Sequence, residues 1–443
     1  MGLGIFYFDA LSSVMAVLIG FIGLCVAAFS LRYLKGDHAQ GRFFTTLGFM
    51  ILTLFALVSA DHIVLYMSAW AVSNLLLVRL MVHKKSWRAA RESGRLALKH
   101  FALGFTAMVV GFALLCGQIS ETSIQTLISS QYDSVILITA LSLIAVGAMV
   151  QCGLWPFHRW LVSSLNSPTP TSAIMHAGLV NGGGYLLARF APLYAQLPDL
   201  LLVLFVISMI SALVGTLWKL MQSDVKRMLA CSTMGQMGFM IAQCGLGLFP
   251  AAVAHLCWHG MFKAYLFLAS GGVAQEKRLD PGYPPSMKVF TLSLLCGLLG
   301  AYVFAWAGHL NMGAGDTTLF LVGMTFIAGT QLAIPILKNR AWKVFPLAGL
   351  VTAIAGALYG FSVHAFESLF APMNLMQPQE LKAFHIIGFA ALFIAWLSIL
   401  FGRNPERRSN IPRWILRGYV AMLNASQPHP KTVTAHRNHY QYN

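Results

Sequence analysis

The stretch AHLCWHGMFKAYLFLASGG, residues 254–272, reads as a membrane-spanning helix interrupted by ionisable groups. It is apolar except for His255, His259 and Lys263, which recur at every fourth position. Four residues of an α-helix rise about 6 Å and return to nearly the same face, so the three make a ladder about 12 Å long. A charge at the centre of a bilayer costs roughly 3 kcal/mol on insertion scales. A function must offset that cost. Histidine titrates near physiological pH, and lysine gives up its proton readily when desolvated. A file of such groups facing a bundle interior is what a proton or cation relay requires. On the residues alone two other readings stay open. One is a packing histidine bonded to a carbonyl. The other is a zinc pair at H-x-x-x-H spacing, which lacks a third ligand and the HExxH glutamate.

The rest of the chain puts this helix in a membrane. Of its 443 residues, 57% are hydrophobic and 10% charged, and the mean hydropathy is +0.69. Soluble domains carry about 25% charged residues, so this chain has too little charge to cover a water-facing surface. About thirteen apolar runs between residues 9 and 402 are long enough to cross a hydrocarbon core of about 30 Å. The alternating strands of a membrane barrel are absent from the pattern. The expected fold class is therefore an all-α polytopic membrane protein, with a transmembrane bundle over 1–402 and a basic tail over 403–443.

The net charge of +16 invites a nucleic-acid reading, but its placement excludes one. Arg32, Lys35 and Arg42 follow the first run, and Lys84, Lys85, Arg88, Arg91, Arg95 and Lys99 follow the third. Arg159, Lys226 with Arg227, Lys277 with Arg278, and Lys338, Arg340 and Lys343 continue the series. The loops between, such as QISETSIQTLISSQYD (118–133), carry almost none until Lys382. This is the positive-inside pattern, which sets the N-terminus outside, the tail in the cytoplasm and the chain among membrane lipids. The N-terminus lacks the basic start of a cleaved signal, so the first run is expected to be retained. Seven scattered cysteines form no CxxC pair and announce no cluster. No dinucleotide motif occurs in a strand–turn–helix setting.

Two segments depart from the regular rhythm. HKKSWRAARESGRLALKH (83–100) reads as an amphipathic, solvated loop at the headgroups. In the tail, IPRWILRGYVAML (411–423) sets Ile411, Trp414, Ile415, Val420 and Leu423 along one side of a short helix. That helix suits either an interfacial anchor or the docking of a cytoplasmic partner. The last ten or so residues are expected to be disordered. A sharper break falls at GLWPFHRWLVSSLNSPTPTSAIMHAGLVNGGGYLLARF (153–190), with three prolines and a glycine triplet inside apolar sequence. Such breaks are tolerated at membrane depth only where protein or water surrounds them. His158 and His176 flank this one. A further cluster, Asp224, Lys226 and Arg227, sits where a basic turn enters the next run. Lys226 fits the mouth of a path, while Asp224 and Arg227 also fit interfacial anchors. Asp9, Asp61, His364 and Glu367 read as boundary residues.

The broken segment, SDVKRMLACSTMGQMGF (223–239) and the opening stretch together resemble the antiporter-like proton-channel family. That family includes the membrane subunits of respiratory complex I, the Mrp antiporters and the DabB-type subunits of inorganic-carbon accumulation systems. NSPTPTSAIMHAGLVNGGGYLLARFAPL followed by QCGLGLFPAAVAHL is most similar to the DabB branch. The resemblance implies an antiporter-like subunit fold and a hydrated polar axis through Lys226, His176, His255, His259 and Lys263. With Asp224 and His158 these are the expected ion-pathway residues; no catalytic or metal residue is expected.

The departures from the family pattern are equally specific. The family glutamate after a tryptophan falls on Ala71, behind Trp70. Its lysine upstream of the broken-helix proline falls on Gln151, five residues before Pro156. The second broken helix is not recognisable in LLCGLLGAYVFAWAGHL (294–310). About two N-terminal helices and the long C-terminal helix of the complex I homologue have no counterpart. The resemblance thus implies a cation-conducting, most simply proton-conducting, subunit of a two-component inorganic-carbon complex in a bacterial inner membrane. Its partner would be a large cytoplasmic DabA-type subunit with a carbonic-anhydrase-like zinc site, this chain holding no cofactor and catalysing nothing alone. The alternatives are a subunit of a respiratory NADH–quinone oxidoreductase or Mrp-type antiporter, and a purely structural scaffold.

Overall fold

A computed structural model describes residues 4–275, 283–338, 341–402 and 412–433. Lys277, Arg278, Arg340, Ile411 and the last ten residues lie outside these. The described residues form helices, and their β-pairings are isolated bridges between loops. The chain runs through α1 (Ala10–Tyr33), α2 (Gln40–Ser59), α3 (Ile63–Met81), α4 (Arg88–Ile119), the short α5 (Ile124–Ser129) and α6 (Ser134–Cys152). It then breaks into α7 (Arg159–Val162), α8 (Thr169–Ala177), α9 (Gly182–Arg189) and α10 (Ala191–Tyr194). Long helices resume with α11 (Pro198–Met221), α12 (Val225–Gly245), α13 (Phe249–Leu268) and α14 (Met287–Ala307). The last are α15 (Thr318–Leu337), α16 (Ala341–Phe370), α17 (Ala383–Phe401) and the tail helix α18 (Arg413–Ala425).

Among the described residues ten helices, α1 to α4, α6, α11 and α14 to α17, are long and apolar enough to cross a membrane. The sequence leads one to expect about thirteen. The other three expected runs fall on the broken segment, α12 and α13, where interruptions or ionisable and polar residues dilute the hydropathy. Those are the segments that carry the candidate path. Large apolar side chains such as Val17 (74% exposed) and Leu24 (71%) face outward, as a lipid-contacting surface requires.

Contacts between loops sort the helix ends onto two faces. At one face the Tyr7 N–H donates to the Ser59 carbonyl, the Ile63 N–H to Thr122, and the Gln377 N–H to Gly247. Lys382 pairs with Asp199 there at 2.9 Å. At the opposite face, His83 pairs with Asp37, and Arg42 donates to the His83 carbonyl at 2.6 Å. The arginine- and lysine-rich loops gather at this second, basic end.

The segment 83–100 differs from the expected solvated loop. From Arg88 onward it is the start of α4, a 32-residue helix about 48 Å long at 1.5 Å per residue. Ala89, Ala90, Ser93, Gly94 and Ala97 are buried, and Ser93 Oγ donates to the Ser163 carbonyl at 2.8 Å. A small-residue face, rather than charge, decides the conformation. The tail also comes back to the bundle beyond α18. The His429 N–H donates to Ser163 Oγ at 2.9 Å, and Asn166 Nδ2 donates to the Thr432 carbonyl at 2.7 Å.

Candidate functional site

The break in 153–190 is built by close packing against neighbouring backbone. Gly153, at φ +62°, ends α6 in a left-handed turn, a conformation that favours glycine. A Cβ at Gly183 would lie 2.4 Å from the Ala148 carbonyl oxygen, and one at Gly260 would lie 2.9 Å from that of Ala177. The glycines therefore let α9 press on α6 and let α13 press on α8. His176, in the last turn of α8, is carried to the side of the ladder helix.

The polar residues meet there. Lys263 is fully buried and its Nζ donates to the Leu229 carbonyl of α12 at 3.1 Å. Thr233 Oγ1 donates to the same carbonyl at 3.0 Å and lies 3.0 Å from His176 Nδ1. Lys263, the Leu229 carbonyl, Thr233 and His176 thus form one network across α13, α12 and α8. The His176 ring stacks on Phe267 with centroids 4.3 Å apart. The rings of His255 and His259 follow each other along α13 at 6.1 Å. Nε2 of each is buried without a partner among the described residues. Buried polar atoms ordinarily find a partner or an ordered water.

Space for water adjoins them. A cavity of about 510 Å³ is lined by Lys219, Gln236, His255, His259, Lys263 and Tyr359 among others. A second, of about 410 Å³, shares His255, Gln236 and Tyr359 and continues between α12 and helices α14 to α16. A water occupies about 30 Å³ of liquid volume, so either holds several. The ladder therefore lines a mostly apolar seam, set with a few polar groups, between the first thirteen helices and the last group of membrane helices. Proton transfer along such a seam needs titratable groups, exchangeable hydrogen bonds and water-sized gaps. All three are present.

The remaining expected residues spread over the basic end. Lys226, in the first turn of α12, donates to the Ser167 carbonyl at 3.1 Å. Asp224 is exposed and caps α12, accepting from the Arg227 N–H at 2.9 Å; Arg227 Nη1 reaches Gln427 at 3.1 Å. His158 is buried against Trp218, with ring centroids 4.7 Å apart. Neither Asp224 nor His158 shares the ladder cavity. Asp9 goes beyond a boundary role: it caps α1 and forms a buried ion pair with Arg189. Asp61 accepts from Ser123 Oγ at 2.9 Å, and the His364 ring lies 4.4 Å from that of His309.

Sequence reading passes over Lys219, Gln236, Thr233 and Tyr359. A lysine in the last turn of a helix, as Lys219 is in α11, looks like an ordinary complement to the helix dipole. The position expected to hold a family lysine carries a neutral substitute of definite geometry. Gln151 and Asn74 exchange two hydrogen bonds of 3.1 Å, and Gln151 Nε2 also donates to the Leu179 carbonyl.

Comparison with known proteins agrees with this architecture. The family model for the NADH:quinone oxidoreductase/Mrp antiporter transmembrane region matches residues 59–302. A second, for the N-terminus of complex I chain 5, matches residues 5–44. The chain belongs to this antiporter-like family. Among its relatives, a probable inorganic carbon transporter subunit DabB of Bacillus anthracis is 30% identical over 447 residues. That match covers 99% of this chain and 86% of the relative. A probable subunit DabB1 of Halothiobacillus neapolitanus is 37% identical over 290 residues, 63% of this chain and 52% of that one. The chloroplastic NAD(P)H-quinone oxidoreductase subunit 5 of Buxus microphylla is 29% identical over 362 residues, and the match covers 48% of its length. The chain thus spans about half of some curated relatives and most of others. The Mrp complex of a Dietzia species shares the fold, with a TM-score of 0.59 at 22% identity over 95% of this chain. Its family and its apolar helices make the chain a multi-pass membrane transport subunit.

Proposed function

We propose that the chain is the cation-conducting subunit, with protons as the most direct cargo, of a two-component inorganic-carbon accumulation complex in a bacterial inner membrane. The basic end would face the cytoplasm and engage a large zinc-bearing partner of the DabA type. Ion flow through this chain would drive that partner's carbon dioxide hydration. One observation carries the reading: His255, His259 and Lys263 line one cavity of about 510 Å³, while the expected glutamate and lysine of a coupled pump are Ala71 and the amide pair Gln151–Asn74. A passive path in one half of the protein suits a subunit that spends an ion gradient on a partner. The names of the DabB relatives, probable inorganic carbon transporter subunits, support the inorganic-carbon part of the reading. The chloroplastic relative favours a second reading, a respiratory-type membrane subunit, which needs several membrane partners and no zinc.

Lys263→Ala and His259→Ala each test the path. Transport-dependent growth of cells carrying the chain and its partner should be abolished, with the amount of folded protein in the membrane unchanged. Full growth with both variants would remove the relay and leave the scaffold reading.

A further inference from the structure

The basic end holds a second polar chamber that the ladder does not use. It measures about 420 Å³ and is lined by Tyr33, Asp37, His83, Lys84, Ser167 and Lys226, among others. Its walls come from four separate places: the α1–α2 loop, the end of α3, the broken segment and the start of α12. His83 is 6% exposed, and its Nε2 lies 2.9 Å from Asp37 Oδ2. The ring's hydrogen bond among the described residues is made at Nε2. Asp37 also accepts from the Ala39 N–H at 2.7 Å. That N–H first, and the His83 ring next, hold its carboxyl below the usual carboxylate range. Across the chamber Lys226 donates to the Ser167 carbonyl, and Ser167 Oγ is buried without a partner. A chamber of that volume has room for several waters.

We infer that the Asp37–His83 pair is the proton-exchange group of this chamber, passing protons between Lys226 and bulk water at the basic end. The inference rests on the proposed path through Lys226. In the exit direction an N–H bond of the Lys226 ammonium breaks and its proton moves through chamber water. An N–H bond forms at His83 Nδ1, leaving Lys226 neutral. Asp37 stabilises the resulting imidazolium, which then releases the proton to solvent, and the next proton from the ladder restores Lys226. The charged groups facing His83 are Asp37, Lys84, Lys226 and Arg42, the last through its bond to the His83 carbonyl. Asp37 is thus the one anion among them. A carboxylate–imidazole pair beside a lysine suits this task because the ring can take up and release a proton while the carboxylate stabilises its charged form.

A structural staple would use the same contacts, so the test separates titration from hydrogen bonding. The purified complex with its native partner is placed in proteoliposomes, and proton flux is followed with an entrapped pH-sensitive dye. His83→Gln keeps a hydrogen-bonding amide near Asp37 but does not titrate. Its flux should fall most of the way to that of Lys263→Ala. Added imidazole should restore flux to His83→Ala and leave Lys263→Ala inactive. Full flux in His83→Gln while Lys263→Ala is inactive overturns this inference alone, as does failure of imidazole to rescue His83→Ala. Full flux in Lys263→Ala overturns the proposed path itself.

Discussion

Lys263 and the Gln151–Asn74 pair are two different ways of burying polarity in a membrane. The lysine lies in the wall of a cavity, fully buried, and bonds a carbonyl, which offsets part of the cost of burying its charge. The amides are 4% exposed each and satisfy one another, leaving no charge to move. Asn74→Leu should leave Gln151 Oε1 without a donor while Nε2 keeps the Leu179 carbonyl, at a cost of about 1–3 kcal/mol for an unsatisfied buried group. A fall in the thermal midpoint of the purified protein checks this; an unchanged midpoint would mean that water replaces Asn74. The ladder was readable from spacing alone, since residues four apart share a helix face. Gln151 was readable only as a missing lysine. Its partner lies 77 residues away, and no local pattern announces a contact of that kind. Thr233, Tyr359 and Lys219 escaped notice for the same reason, because each gains its role from another helix.

At the scale of elements, α11 and α12 meet backbone to backbone. A Cβ at Gly238 would sit 2.6 Å from the Ala212 nitrogen and 2.8 Å from the Ser208 carbonyl oxygen. Neither atom can move without shifting a helix. Gly238→Val should therefore deplete folded protein from the membrane and displace α12, which carries the Leu229 carbonyl and Thr233. Gly48→Ala, where nothing lies within 4 Å of the added carbon, should be tolerated. Quantitative detection of the two variants in isolated membranes separates them. The broken helix was legible because proline and glycine leave sequence marks. The helical start of α4 was not, because its charges suggested solvent while its small residues decided the packing. The thirteen expected crossings and the ten helices apolar enough to cross differ where functional groups lower the hydropathy of the segments that hold them.

The whole molecule has two chemically distinct ends. Asp9, Asp61, Asp133, Asp199 and Glu380 lie at one, and the arginine- and lysine-rich loops with the returning tail lie at the other. The tail reaches the basic end beside the chamber wall: Asn166, which holds Thr432, precedes Ser167, which accepts from Lys226. On α18, Trp414 is 74% exposed and Leu416 53%, an apolar surface next to the proposed mouth. A partner seated on this end would lie over the path it is proposed to draw upon. The most direct test is to purify the tagged chain gently from its native membrane, identify what accompanies it, and assay the material for zinc. One large, non-membrane, zinc-bearing partner in stoichiometric amount is the predicted result. A set of other membrane subunits without zinc would contradict it and place the chain with the respiratory and antiporter assemblies.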